Sequence, residues 1–177
     1  MSSQRTGFLV QVHVEEVPGK GLGVVTDELV SKGQVVWRHL PGAFTVFDEQ
    51  GFRELITCMD RDEVVFELTH MHAFEDFPGC MIRALDDGIY INHSIRPNLA
   101  TNNTEPALPA LDSNAPDYIQ RVAQALRADR FSLLATRDIA IGEELTNDYN
   151  LDDDCPEYFD ELYALYEVDE GYLEDGS

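Results

Sequence analysis

Asn92, His93 and Ser94 follow the apolar run Ile89-Tyr90-Ile91 in the stretch GIYINHSIRPN. An amide and an imidazole side by side at the end of a buried strand offer a ligand fixed donors and acceptors. The same residue types also cap strands and turns by bonding nearby backbone. A second cluster, Gly19-Lys20-Gly21-Leu22-Gly23, exposes bare backbone beside a cation. Glycines serve turns at least as readily, and no strand-then-helix context supports a phosphate loop. A third stretch, Gly142-Glu143-Glu144-Leu145-Thr146-Asn147-Asp148-Tyr149, carries a tyrosine hydroxyl beyond a glycine turn. His70, His72, Glu67 and Asp76 are of metal-binding type. In a helical segment, however, positions i and i+2 diverge and no third ligand of suitable spacing follows, so no metal is expected.

The elements that must position these groups are short. Residues 8–14 alternate apolar and polar as a half-buried strand, broken at Pro18-Gly19; Val-rich runs at 22–25 and 35–37 among glycines predict a β-meander. Between Asp48 and Phe77 apolar residues recur at three and four, which predicts one or two helices. GCMIRAL and GIYIN read as strands around a turn at Asp86, Asp87 and Gly88. A polar, proline-bearing stretch then leads to an amphipathic helix over about 116–128, with Ile119, Val122, Ala123 and Leu126 on one face. FSLLATRDI is another strand. From Asp148 onward there are twelve acids, no Lys or Arg, and five of the seven tyrosines. Within that segment Tyr158, Phe159, Leu162, Tyr163 and Tyr166 form an aromatic helix face opposite an acidic one.

The 177 residues fit one globular unit, and 44% hydrophobic content separates the chain from disordered sequences. Thirty-four acids against 12 bases give a net charge of -22. Such a field repels nucleic acid and anionic membranes and attracts basic peptides. An acidic proteome adapted to salt has the same balance, so charge alone does not choose a partner. Cys58, Cys80 and Cys155 show no C-x-x-C spacing, which argues against a disulfide framework or a zinc cluster and for a reducing compartment. With no run of 18 apolar residues and no signal-like start, a soluble, cytoplasmic protein is expected.

Taken in order, the three clusters resemble the motifs of SET-domain lysine methyltransferases. Gly21-Leu22-Gly23-Val24 with Ser31-Lys32-Gly33-Gln34-Val35-Val36 is similar to the first motif, and Asn92-His93-Ser94-Ile95-Arg96-Pro97-Asn98 to the second. Arg137-Asp138-Ile139 through Tyr149 is similar to the third. The resemblance implies a mainly β, β-clip fold of small curved sheets with short helices and a pseudo-knotted C-terminal segment, an exception to unthreaded connections. Residues 1–150 would be the SET domain, with a helical insertion at about 48–77 and an extra helix at about 116–128. Residues 151–177 would pack as an acidic, tyrosine-rich lid, taking the place of the absent zinc-binding segment.

By the same resemblance the cofactor is S-adenosylmethionine, held by Lys20, Gly21, Leu22, Gly23, Asn92 and His93. Tyr149 would be catalytic, and Tyr90, His39, Asn147 and Tyr158 would line the substrate channel. Methyl transfer is an in-line displacement by a neutral amine, so the enzyme mainly positions two groups and excludes water. Neutralising a lysine at pH 7 costs about 4 to 5 kcal/mol, from ~1.36 per pKa unit. An apolar channel favours the uncharged amine. With an ordinary pKa near 10, Tyr149 is a poor base and is assigned to orientation. His39 stands where a tyrosine often lines the pocket, and Asn147 where aromatics tune the number of methyls. The implied partner is a basic protein or peptide. The alternative is a SET-fold module that binds the cofactor or a basic peptide with little or no turnover.

Overall fold

A computed structural model describes residues 6–102, 110–149 and 155–168. In chain order the strands are β1 (Val12–Val17), β2 (Gly21–Thr26), β3 (Val35–Trp37), β4 (Phe44–Phe47), β5 (Met81–Ala84), β6 (Asn92–His93), β7 (Leu99–Thr101), β8 (Leu133–Ala135) and β9 (Thr146–Asn147). The helices are α1 (Glu49–Ile56), α2 (Arg61–His70), α3 (Tyr118–Ala125) and α4 (Glu157–Tyr166). Among the described residues the strands form four small sheets, β1-β2, β3-β8-β7, β4-β5 and β6-β9. This is the mainly β architecture with short helices that the sequence predicts.

The β1-β2 hairpin turns through Gly19 and Gly21, at φ 80 and 81, a region that side chains disfavour. Lys20 N–H closes the turn on the Val17 carbonyl at 3.0 Å. Helices α1 and α2 form between Asp48 and Phe77, as the periodicity predicts, each started by an aspartate. Asp48 accepts from Gly51 N–H, and Asp60 forms a reciprocal capping box with Glu63. Each such cap is worth about 1 kcal/mol.

Three apolar cores support these elements. One gathers Val24, Val36, Trp37, Leu99, Ile139 and Leu145 beneath β2, β3 and β7. A second packs α3, through Val122 and Leu126, on Phe77, Ile82 and Phe131. A third joins α1, α2 and α4 through Phe52, Leu68, Phe159 and Leu162. Burial of Tyr158, Phe159 and Leu162 in that third core stabilises the docked helix by roughly 1.5–3 kcal/mol per side chain.

Several boundaries differ from the sequence reading. GIYIN is not a strand: Asp87–Tyr90 form a 3₁₀ turn, and pairing begins only at Asn92. The cause is Asp86, whose carboxylate accepts from Gly88 N–H at 3.0 Å and from Trp37 Nε1 at 3.2 Å. These bonds fold the backbone back locally and override the β propensity of Ile89, Tyr90 and Ile91. The first strand runs Val12–Val17 and not 8–14, because its antiparallel partner β2 ends at Thr26, opposite Val12, and Phe8 makes an isolated bridge to Trp37 instead. FSLLATRDI contributes only Leu133–Ala135, since Asp129–Phe131 form a 3₁₀ turn.

Candidate active site

β6 and β9 run parallel with Asn92 opposite Thr146 and His93 opposite Asn147. Ser94 N–H donates to the Asn147 carbonyl at 2.9 Å. Buried Asn98 secures the crossing from the side. Its Nδ2 donates to the Glu144 carbonyl at 2.7 Å, and its Oδ1 accepts from Thr146 N–H at 2.9 Å. The middle motif and the last motif are therefore stitched together by main chain and by a satisfied buried amide.

Tyr149 emerges from this crossing. Its N–H donates to His93 Nδ1 at 3.2 Å, and the two rings lie 5.6 Å apart. Because Nδ1 accepts, the His93 proton sits on Nε2, which is buried without a partner among the described residues. The Tyr149 hydroxyl donates to the Ile91 carbonyl. Burial, and then the negative charge of Glu144, push its phenol well above the ordinary value, so it remains protonated through the neutral range.

On one side of the crossing lies a polar cluster. Asn92 Nδ2 donates to the Leu22 carbonyl at 3.0 Å and to Glu144 Oε1 at 2.8 Å. Lys20 Nζ lies 3.2 Å from Glu144 Oε2 and 3.3 Å from the His93 carbonyl. Gly23 must be glycine here: a Cβ would stand 2.6 Å from Val17, 2.9 Å from Glu144 and 3.0 Å from Asn92. Both Asn92 amide protons are committed within the protein, which leaves Oδ1 as its open group.

On the other side is a cavity of about 120 Å³, several times what one water needs, walled in part by His39, Ile91, Asn147, Tyr149, Cys155 and Tyr163. His39 is 3% exposed, edge-on to Trp37 and Phe44. Its Nδ1 lies 3.1 Å from the Phe131 carbonyl, and Nε2 has no partner among the described residues. Burial and the neighbouring His72 push His39 down to about 3, against the pull of the Phe131 carbonyl. Burial pushes His72 down to about 4. Both rings are neutral at ordinary pH.

The predicted residues thus divide. Lys20, Gly21, Leu22, Gly23, Asn92 and His93 form the polar side, Asn147 and His39 line the cavity, and Tyr149 touches both. Tyr90 packs against the first core, 6.3 Å from the Phe66 ring, and is not part of the cavity wall. Tyr158 lies in the third core beside Phe52 and Phe159, its hydroxyl buried and without a partner among the described residues; the described α4 tyrosine that reaches the cavity is Tyr163, whose hydroxyl donates to the Leu68 carbonyl at 3.0 Å. The aromatic periodicity identified the face of α4 but not which member meets the cavity. Glu144, the hub of the polar cluster, received no role from the sequence, because its pairing with Lys20 spans 124 positions.

The supposed metal types serve elsewhere. Glu67 pairs with Arg83 at 2.6 Å and Asp76 with Arg130 at 2.7 Å, while His70 stacks on Phe66 at 4.0 Å. Among the described residues no group of three His, Cys, Asp or Glu is placed to hold a metal ion. No described helix is long and apolar enough to cross a membrane.

This fold, with a glycine hairpin, an Asn-His strand and a tyrosine brought together across the chain, is that of a known class. Residues 21–150 match the SET domain family, and the chain belongs to it. Among solved structures it is similar to the methyltransferase domain of human histone-lysine N-methyltransferase SETMAR, at 20% identity and a TM-score of 0.51 over 82% of this chain and 47% of that one. It spans less than half the length of that domain. KRYPTONITE with mCHH DNA, H3(1-15) peptide and SAH gives 19% identity and a TM-score of 0.47 over 80% of this chain and 24% of that one. KRYPTONITE with mCHG DNA and SAH gives 18% and 0.48 over 85% and 26%. No curated protein matches the chain by sequence.

Proposed function

We propose that the protein transfers a methyl group from S-adenosylmethionine to the ε-amine of a lysine in a basic protein segment. The observation that carries this reading is that Tyr149 contacts His93 of the polar cluster and also walls the apolar cavity. A polar ligand and an alkylamine could each find a suited surface, meeting at one phenol.

The polar cluster fits the cofactor. The side-chain-free backbone at Gly21 and Gly23 allows close approach. Asn92 Oδ1 offers an acceptor for an ammonium, and His93 Nε2–H is a buried donor without a partner among the described residues. Leaving such a donor unmet costs about 1–3 kcal/mol, which a ligand acceptor would recover. The cofactor supplies the activated methyl. The protein supplies position: the Tyr149 hydroxyl donates to the Ile91 carbonyl, which leaves its oxygen lone pairs as acceptors. The cavity's apolar walls, including Trp37, Phe74 and Leu133, disfavour the ammonium and favour the neutral amine. The net charge of -22 favours a Lys/Arg-rich partner by complementarity.

One observation favours a second reading, a binding module with little turnover: both Asn92 amide protons are already satisfied within the protein. Calorimetry with S-adenosylmethionine, followed by methyl incorporation into a library of basic peptides, separates the two. Transfer that collapses in Tyr149→Phe supports the enzyme. Cofactor binding with no transfer to any peptide supports the module.

A further inference from the structure

Asp86 gathers three separate parts of the chain. Its Oδ2 accepts from Gly7 N–H at 2.5 Å and from the Thr6 hydroxyl at 3.1 Å, and its Oδ1 accepts from Gly88 N–H at 3.0 Å. Trp37 Nε1 lies 3.2 Å from both oxygens. None of these four donors is a cation, so the carboxylate serves here as a many-sided acceptor. The indole is clasped from two sides: a Cβ on Gly7 would stand 2.5 Å from Trp37 Nε1, and one on Gly88 2.8 Å. Arg38 N–H donates to the Gly7 carbonyl and Leu9 N–H to the Val36 carbonyl, each at 2.9 Å, which lays residues 7–9 along β3. Thr6 and Gly7 both precede the residues that match the family.

From Asp86 the path to Tyr149 is short. Ile89 N–H donates to the Asp86 carbonyl and Ile91 N–H to the Gly88 carbonyl, both at 3.2 Å. These bonds fix the 3₁₀ turn, and the Ile91 carbonyl just beyond it accepts from the Tyr149 hydroxyl. Trp37, Gly88, Ile89 and Ile91 line the cavity with Tyr149, whereas Asp86 does not.

We propose that Asp86 is a positioning residue for Tyr149: by holding Thr6, Gly7, Trp37 and Gly88 together it sets where the Ile91 carbonyl stands and so where the Tyr149 hydroxyl points, which makes the N-terminal segment part of the site. The inference rests on the methyl-transfer reading given above and deepens it. Since Asp86 does not reach the cavity, its effect on transfer passes through the tyrosine.

Two measurements test this. The first needs no turnover. In Asp86→Asn and, separately, in Gly7→Ala, the single tryptophan reports the clasp through its ¹⁵N indole resonance, and tyrosine labelled with ¹³C at Cζ reports the hydroxyl. The Tyr149 line is identified by its loss in Tyr149→Phe. Shifts of the indole and of the Tyr149 line, with the Tyr118 line unmoved on its Pro78 partner, support the proposal. An unmoved Tyr149 line, or a shift spread evenly over the tyrosines, overturns it, whether or not the protein methylates amines. The second measurement is a kinetic cycle on a basic peptide. Asp86→Asn should lower kcat about tenfold with KM within about threefold, Tyr149→Phe should lower kcat about a hundredfold, and the double variant should be no slower than Tyr149→Phe alone, because the hydroxyl that Asp86 aims is then gone. Losses that multiply to about a thousandfold contradict the proposal and make Asp86 a structural anchor only. Should Asp86→Asn not fold, Thr6→Val, which removes one of the four donors, takes its place in both measurements. Should no peptide be methylated, the methyl-transfer reading fails and the resonances still decide the role of Asp86.

Discussion

Tyr149 hands its backbone N–H to Nδ1 of His93, 56 positions earlier in the chain, at 3.2 Å. This bond fixes the His93 tautomer, aims the tyrosine ring and joins the polar cluster to the cavity in a single contact. The parallel pairing of β6 with β9 makes it possible.

The Tyr149 hydroxyl should matter through placement and not through ionisation. Tyr149→Phe keeps the ring and the backbone bond to His93 but frees the Ile91 carbonyl. A fall in kcat of about a hundredfold is predicted, the scale of a misplaced reactant, with cofactor affinity changed less than about threefold. Because the phenol is raised above its ordinary value, the rate below pH 9 should rise about tenfold per pH unit with neutral amine, without a tyrosine inflection. An inflection lost in the phenylalanine variant would contradict this.

Glu144 organises the polar side of the crossing. Glu144→Gln keeps a partner for Asn92 but removes the charge facing Lys20. S-adenosylmethionine binding, measured by calorimetry, should weaken by about tenfold, the scale of a charge-assisted hydrogen bond. The phenol of Tyr149 should titrate lower than in the parent, since one cause of its raised pKa is gone.

Acid should loosen the fold through the neutral histidines. His39 and His72 titrate near 3 and near 4 in the folded state, but at an ordinary 6.5 when unfolded. Between those values the unfolded chain binds more protons, so stability is full above about pH 6.5 and is lost as pH falls toward 4. Each histidine contributes a slope of roughly 1 kcal/mol per pH unit. Urea midpoints across that range should show a shallower slope in His72→Gln. An unchanged slope would indicate that carboxylates alone set the acid limit.

Helix α4 is held by its apolar face. Leu162 is 2% exposed in the third core, and its truncation to alanine should cost about 2–5 kcal/mol by leaving a cavity. Tyr163→Phe, which removes the donor to the Leu68 carbonyl, should cost about 1 kcal/mol. The surface pair Arg53–Glu161 at 3.0 Å, Arg53 partly and Glu161 largely exposed, is screened by solvent, so Glu161→Gln should cost the least of the three. Thermal melts of the three variants should rank in that order.

The sequence carried much of this fold because its helices are strongly periodic: Val122 and Leu126 are buried as their spacing predicts. The three motifs were visible through their resemblance, taken together and in order, to those of the SET-domain family; singly, each reads as an ordinary turn or cap. What stayed hidden were relationships set by distant partners. Asp86 turned GIYIN away from strand by reaching Trp37, 49 positions away. Glu144 looked like one more acid in an acidic chain until Lys20 and Asn92 stood beside it. The choice of Tyr163 over Tyr158 as the cavity residue depends on how α4 is rotated against α2, which packing decides and local periodicity does not. Nor could any spacing rule show that His39 keeps one nitrogen without a partner among the described residues.

The most direct measurement is a crystal structure of the protein with S-adenosylhomocysteine and a lysine peptide. The account predicts the cofactor against Gly23, Asn92 and His93, its sulfur facing the lysine nitrogen across the Tyr149 hydroxyl, with the alkyl chain in the cavity walled by His39 and Tyr163. A cofactor bound elsewhere, or a lysine that stays outside a closed cavity while transfer proceeds, would contradict it.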